Sequence, residues 1–295
     1  MSLTEMQQVI VSVADKAGAS VVGIGRNRRG TGIVISEGKV LTNAHNLRGE
    51  QVTVSFPDGR TETGSVSGAD LDADLAVVAV DTGDTTPLTW APNGGVSLGS
   101  PVVALANPAG MGLRVTVGFV SGTGRTFRGP RGRAISGSLE HTAPLLPGAS
   151  GGPVVDVDGQ FVGLNTNRLG EGFYLAIPAD DELRSAVERL SSGQTSTRPR
   201  LGVGVAPAAV ARKLRQAVGL PDAEGVLVRM VFDDGPAAAA GIRQGDLITR
   251  VGGQALTDPD DLYQVLDGIA PGSVVSVSLL RGVEELSVEV TFGEA

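Results

Sequence analysis

The 295-residue sequence contains no cysteine. That absence excludes disulfides, thiol nucleophiles and cysteine-ligated zinc. Aromatic residues make up only 3% of the chain, so any core must be built from small aliphatic side chains. Basic residues are outnumbered and the formal net charge is −8, which argues against a general nucleic-acid surface. No apolar run reaches 18 residues, so no segment reads as a membrane-spanning helix. The first 20 residues lack both a basic start and an uninterrupted apolar stretch, and so do not read as a signal peptide. The chain as written is therefore expected in the cytoplasm, or in the cell envelope or periplasm if a leader has been removed.

What is present is enough chain for two domains, each with its own core. Met6, Ile10 and Val13 recur at helical spacing and predict a short helix over residues 4–17. From Ser20 the pattern changes to short β-rich runs separated by Gly, Asp and Asn. Strands are predicted near 20–25, 31–36, 39–42, 51–56, 61–67, 74–80, 102–106, 115–121, 153–157, 161–166 and 173–177, and a helix over 179–191. Many short strands with turns between them indicate an antiparallel barrel or sandwich. Residues 191–198 are small and polar and read as a linker between a domain at 1–190 and a second at 199–295. The second mixes strands at 201–205, 225–232, 246–251, 273–280 and 285–292 with helices at 208–218 and 258–268 and a helical turn at 236–240. This is an α+β module.

The stretch that organises the chain is Pro147-Gly148-Ala149-Ser150-Gly151-Gly152-Pro153. Its glycines free the backbone from the Cβ limit on φ and let nearby N–H groups converge. Gly148 N–H and Ser150 N–H are thereby candidates for an oxyanion hole, with Ser150 Oγ as nucleophile. An ordinary glycine-rich turn is the alternative. Upstream, His45 follows a predicted strand, on a rim where a general base belongs; taken alone, a rim histidine is more often a solvated surface residue. Asp74 opens the most apolar strand of the first half, and a buried carboxylate needs a partner such as an imidazole N–H. Asp72, two residues earlier, competes for that role.

The order His45, Asp74, Ser150 is that of the chymotrypsin-type triad. The segments TNAH, DADLAVV, ALANPAGMGLRVTVGFVSGTGR, PGASGGPVVDVDGQFVGLNT and GFYLAIPAD together resemble the trypsin-like serine proteases of the HtrA (Deg) family. The resemblance implies a mainly β double barrel of chymotrypsin type, a cofactor-free and metal-free endopeptidase, and a triad of His45 as base, Asp74 as orienter and Ser150 as nucleophile. It also implies an S1 pocket lined by Pro144, Leu145, Leu146, Leu164, Asn165 and Thr166. No carboxylate is among these, so an apolar P1 residue is expected. Two positions depart from the family: Ala149 stands where Asn is usual, and His141-Thr142 replaces a Thr-Asp pair. His141 is expected to pack within a strand or loop. The arginines at 125, 128, 131 and 133 read first as a solvated loop; the resemblance reads the same stretch as a regulatory loop.

Residues 199–292 resemble a circularly permuted PDZ domain, through RLGVGV, GPAAAAGIRQGDLITRVGGQAL and PGSVVSVSLLRG. Arg200, Leu201, Gly202 and Val203 would then capture a peptide carboxylate, with Leu262 and Leu266 as the helical wall. The partners implied are unfolded or misfolded protein substrates and peptide C-termini, and the family pattern is a homotrimer. A silent protease-like scaffold or chaperone working through the PDZ domain is the alternative function.

Overall fold

The computed structural model describes residues 2–26, 30–92, 95–128, 134–168, 172–194, 199–233 and 235–293. The chain divides into two compact units, Met1–Ser196 and Thr197–Ala295. No helix among the described residues is long and apolar enough to cross a membrane.

The first unit opens with helix α1 (Leu3–Gly18), whose start is fixed by a reciprocal cap. Ser2 Oγ accepts the Glu5 N–H, and the Glu5 carboxylate accepts the Ser2 N–H. Six strands follow: β1 (Val21–Ile24), β2 (Gly30–Ser36), β3 (Lys39–Thr42), β4 (Gln51–Ser55), β5 (Thr61–Asp70) and β6 (Leu75–Ala79). They close into an antiparallel barrel in the order β1-β2-β3-β6-β5-β4. A second barrel, ordered β10-β11-β12-β9-β8-β7, is built from β7 (Pro101–Ala106), β8 (Arg114–Arg128), β9 (Ala134–His141), β10 (Pro153–Val155), β11 (Phe161–Arg168) and β12 (Tyr174–Pro178). Helix α2 (Asp181–Ser191) starts on its Asp180 cap and packs on β5 and β6.

Strand alternation explains why these strands are apolar on both faces. Val22, Ile24, Val34, Val40, Val54 and Val78 fill the first barrel. Their neighbours Val21, Ile33, Leu41 and Val77 join Val103, Leu105, Val155, Phe161 and Leu164 of the second barrel in one core, which α1 and α2 complete with Val13, Ala17, Leu183 and Val187. The two barrels are thus fused by a shared apolar layer, and side chains at their facing rims are held in register.

The sequence reading missed one barrel strand, β9, and ended β8 seven residues early. Arg125 and Arg128 therefore lie on β8 and not in a loop, and Arg125 pairs with Glu140 of β9 at 3.3 Å. Arg131 and Arg133 lie outside the described residues, as do 195–198 of the expected linker; Ser191 at its start is the last residue of α2.

The second unit is a sheet ordered β13-β14-β15-β17-β18, with the short β16 (Gln254–Ala255) on β15. Its strands are β13 (Val203–Val205), β14 (Val226–Val231), β15 (Leu247–Val251), β17 (Val274–Arg281) and β18 (Glu284–Thr291), and its helices α3 (Ala208–Ala217), α4 (Pro236–Ala239) and α5 (Pro259–Asp267). Asp258 and Asp261 form the capping box of α5. The buried Asp246 carboxylate is held by both arms of the Arg281 guanidinium, at 2.9 and 2.8 Å.

Candidate active site

After β3 the chain turns through a short 3-10 helix, Ala44–Asn46, that carries His45 on the surface. This turn is bound tightly to Asp74. Asn43 Nδ2 donates to the Asp74 carbonyl at 3.0 Å, and His45 N–H donates to Asp74 Oδ1 at 3.1 Å. His45 Nδ1 lies 2.8 Å from Oδ2 and 2.9 Å from Oδ1. Asp74 is buried to 1% exposure and is the one non-glycine residue with a positive φ, 57°, among those described. Such left-handed backbone stores strain and is tolerated best by Asp and Asn. Here it turns the carboxylate toward His45 just before β6 begins. Asp72 sits in the turn preceding β6, where its N–H donates to Asp70 Oδ1. The imidazole is bonded to Asp74 and not to Asp72.

Thr166 closes the constellation. Along β11 and β12, Asn165 pairs with Ala176 and Asn167 with Leu175, which leaves Thr166 as the extra residue of a β-bulge. Bulges re-aim a side chain, and this one sends the Thr166 hydroxyl to Asp74 Oδ2 at 2.8 Å. The Thr166 carbonyl accepts the Ser150 hydroxyl at 3.2 Å. One residue therefore touches both the carboxylate and the serine. The Ser150 hydroxyl makes no hydrogen bond to His45 in this arrangement.

The loop around Ser150 has a distinct pattern of satisfied and unsatisfied donors. Ala149 N–H donates to Leu146 O, Gly151 N–H to Asn165 O and Gly152 N–H to Ala149 O. Gly148 N–H and Ser150 N–H have no acceptor among the described residues. Gly148 has a φ of 87°, a conformation that an L side chain resists. Thr31 of β2 anchors the loop from the first barrel: its N–H donates to Ser150 O at 2.9 Å and its hydroxyl to Gly148 O at 2.7 Å.

The residues expected to line a substrate pocket separate into two groups. Pro144, Leu145 and Leu146 lie on the approach to the serine loop, and Leu146 is exposed. Leu164 is fully buried in the core shared by the barrels, so its side chain is packed there and not presented to a substrate. Asn165 is buried, its Nδ2 donating to Pro153 O at 3.3 Å and its Oδ1 facing His141 Nε2 at 2.9 Å. His141 ends β9, is fully buried and stacks on Tyr174, which is the packing role expected of it. Burial lowers its pKa from 6.5 to about 4, only partly opposed by the Asn165 hydrogen bond. Thr142 steadies the same loop, its hydroxyl accepting the Phe119 N–H at 3.0 Å. Sequence reasoning overlooked Thr31, Thr42, Asn43 and Asn46. Thr31 and Thr42 were signalled only as polar residues on strands read as core, whereas Asn43 and Asn46 lie in the turn after β3 and carry no such signal.

In the second unit, β13 is an edge strand preceded by Arg200, Leu201 and Gly202. The carbonyls of Leu201 and Gly202 accept from Ala237 and Phe232, whereas their N–H groups have no acceptor among the described residues. Gly202 has a φ of 79°, and a Cβ there would meet Gly235 Cα at 2.9 Å. Val203 opens β13 partly buried, and Leu262 and Leu266 of α5 join Leu201 in the core of this unit.

Comparison with known proteins follows the same division. Residues 30–164 match the model of the trypsin-like peptidase domain, and residues 199–292 that of the PDZ domain. A protein of Halomonas elongata named as a DegP-like periplasmic serine endoprotease is 34% identical over 276 residues, covering 91% of this chain. The chain spans 57% of that relative's length. The protein named as serine protease HhoA of a Synechocystis species is 33% identical over 280 residues, covering 89% of this chain and 70% of its own. Among solved structures, the HtrA-type protease AlgW with a decapeptide superimposes with a TM-score of 0.67 at 26% identity, covering 96% of this chain and 98% of that one. The serine endoprotease of Yersinia pestis gives a TM-score of 0.65 at 29% identity, covering 97% and 98%.

Proposed function

The chain belongs to the HtrA family of trypsin-like serine proteases with a C-terminal PDZ domain, and from that premise we propose that it is a serine endopeptidase working through Ser150, His45 and Asp74. The observation that carries the proposal is the buried Asp74 carboxylate, bonded at once by His45 Nδ1 and by Thr166, whose carbonyl holds the Ser150 hydroxyl. Asp74 fixes the tautomer in which Nδ1 bears the proton and Nε2 is free to accept one.

Substrate-free catalytic hydrogen bonds are commonly long or misaligned and tighten when substrate binds. Catalysis requires Ser150 Oγ to leave the Thr166 carbonyl and come within hydrogen-bond reach of Nε2. As Oγ attacks the scissile carbonyl, His45 Nε2 removes its proton. The developing oxyanion accepts from Gly148 N–H and Ser150 N–H, the two donors of the loop that have no acceptor among the described residues. His45 returns the proton to the departing amine, leaving an acyl-enzyme on Ser150. Water, deprotonated by His45, then releases the acid.

Unfolded or misfolded protein is the substrate class in this reading, with an apolar P1 residue against Pro144, Leu145 and Leu146. The edge strand β13 and the Leu201 and Gly202 N–H groups take a peptide C-terminus, as a regulator or tether for the protease unit. A homotrimer is the assembly that family membership suggests. Ser150→Ala tests the proposal against the silent-scaffold alternative. Cleavage of unfolded casein should fall by roughly 10⁴-fold or more, as for loss of a triad nucleophile. Retention of a tenth of the activity would rule out this assignment.

A further inference from the structure

The residue after His45 is used in a way that the triad alone does not explain. Asn46 is buried, and both N–H bonds of its carboxamide are spent. One goes to the Ser150 carbonyl at 2.9 Å and the other to Thr42 Oγ1 at 3.0 Å. Thr42 Oγ1 in turn donates to Thr31 O at 2.7 Å, and Thr31 N–H donates to the same Ser150 carbonyl at 2.9 Å. Four residues thus form a closed ring of hydrogen bonds, three from the first barrel and Ser150 from the second.

Two features show that the ring is built and not incidental. Space for the amide is cleared by glycines: a Cβ on Gly30 would lie 2.3 Å from Asn46 Cγ, and one on Gly151 would lie 3.0 Å from Asn46 Nδ2 and 2.1 Å from Thr31 O. The arrangement also carries a cost, because Asn46 Oδ1 is buried with no hydrogen-bond partner among the described residues. Rotating the amide would aim that oxygen at the Ser150 carbonyl, so the orientation is set by Ser150. An apolar side chain of the same size would fill the site without stranding an acceptor. Stability alone does not account for asparagine here.

We infer that Asn46 is a positioning residue, which ties the turn bearing His45 directly to the backbone of Ser150 and so sets the spacing of base and nucleophile across the two barrels. The inference rests on the proposed roles of His45 and Ser150. Since His45 and Asn46 are adjacent in one 3-10 turn, a shift of the Ser150 carbonyl is transmitted to the imidazole through a single residue. A misplacement of about 1 Å in such a pair can cost up to about 10²-fold in rate.

The test compares wild type with Asn46→Val in the full chain, by the rate of fluorophosphonate labelling at Ser150, by kcat and KM on a peptide, and by melting temperature. The expected result is a melting temperature equal to or above wild type, labelling and kcat slower by roughly tenfold, and KM unchanged. A purely structural residue would instead lower the melting temperature and leave the labelling rate of the folded fraction intact. An unchanged labelling rate in folded Asn46→Val overturns the inference while leaving the triad standing. Failure of the wild type to label at Ser150 overturns the triad reading, and this inference with it. If Asn46→Val does not fold, Thr42→Val carries the same test, because it removes the second acceptor that orients the amide. Labelling slowed by about threefold supports the inference, and an unchanged rate refutes it.

Discussion

Acidification should weaken the protease unit through His141. Its ring is fully buried, and Nδ1 has no hydrogen-bond partner among the described residues. Asn165 Nδ2 faces the Pro153 carbonyl, so Asn165 Oδ1 is left to accept from His141 Nε2–H. A protonated ring would put a second N–H into a site with no acceptor, and burial accordingly brings the pKa down to about 4 from 6.5. The unfolded chain then binds a proton that the folded chain refuses throughout the window between those values. Stability from this group is fully present above pH 6.5 and declines as pH falls toward 4. Linkage gives a loss of about 2 kcal/mol between pH 7.5 and pH 5, and about 3 kcal/mol by pH 4. Trp90 is the single tryptophan and packs edge-on against Phe161 at 4.9 Å, so its fluorescence reports unfolding of this unit. Urea titrations at several pH values should show the wild type losing about 2 kcal/mol more than His141→Gln over pH 7.5 to 5. Parallel curves for the two proteins would show that His141 is not the group whose protonation destabilises the fold.

Asp74→Asn should retain the fold, since Asn tolerates the left-handed backbone at this position, yet lower kcat by about 10⁴ through the wrong imidazole tautomer. Asp72→Asn should lower kcat little, and steady-state kinetics showing the reverse ranking would contradict the pairing of His45 with Asp74. Peptides with a free C-terminal acid and an apolar last residue should bind the chain roughly 10- to 150-fold more tightly than their amides, the scale of a hydrogen bond to a charged group. Equal affinities by titration calorimetry would exclude carboxylate capture by Leu201 and Gly202.

Where one feature dictated an element, the sequence could be read directly. The run Leu75–Ala79 is apolar on both faces because one face fills a barrel and the other joins the shared core. Its flanking Asp74 therefore stood out as a carboxylate in need of a partner. The glycines about Ser150 announced a loop with exposed donors for a similar reason: their freedom has few other uses. Strand β9 was not legible. Its AISGSLEH carries polar Ser138, Glu140 and His141 at buried positions, and Gly137 interrupts it with a φ of 79°. Thr166 was placed in a substrate pocket by the family resemblance, and only the bulge between Asn165 and Asn167 reveals its bond to Asp74. The ring through Thr31, Thr42 and Asn46 depends on contacts between barrels, between residues 104 and more positions apart. No local pattern encodes that.

Every role proposed for His45, Asp74 and Asn46 depends on Ser150 being an activated nucleophile. Mass spectrometry of the full chain after treatment with a fluorophosphonate tests it most directly, because the reagent reacts with a serine whose proton has a base to take it. A single adduct is expected, mapped to the peptide containing Ser150, absent from Ser150→Ala and strongly slowed in Asp74→Asn. No adduct on the wild type, or an adduct on another residue, would contradict it.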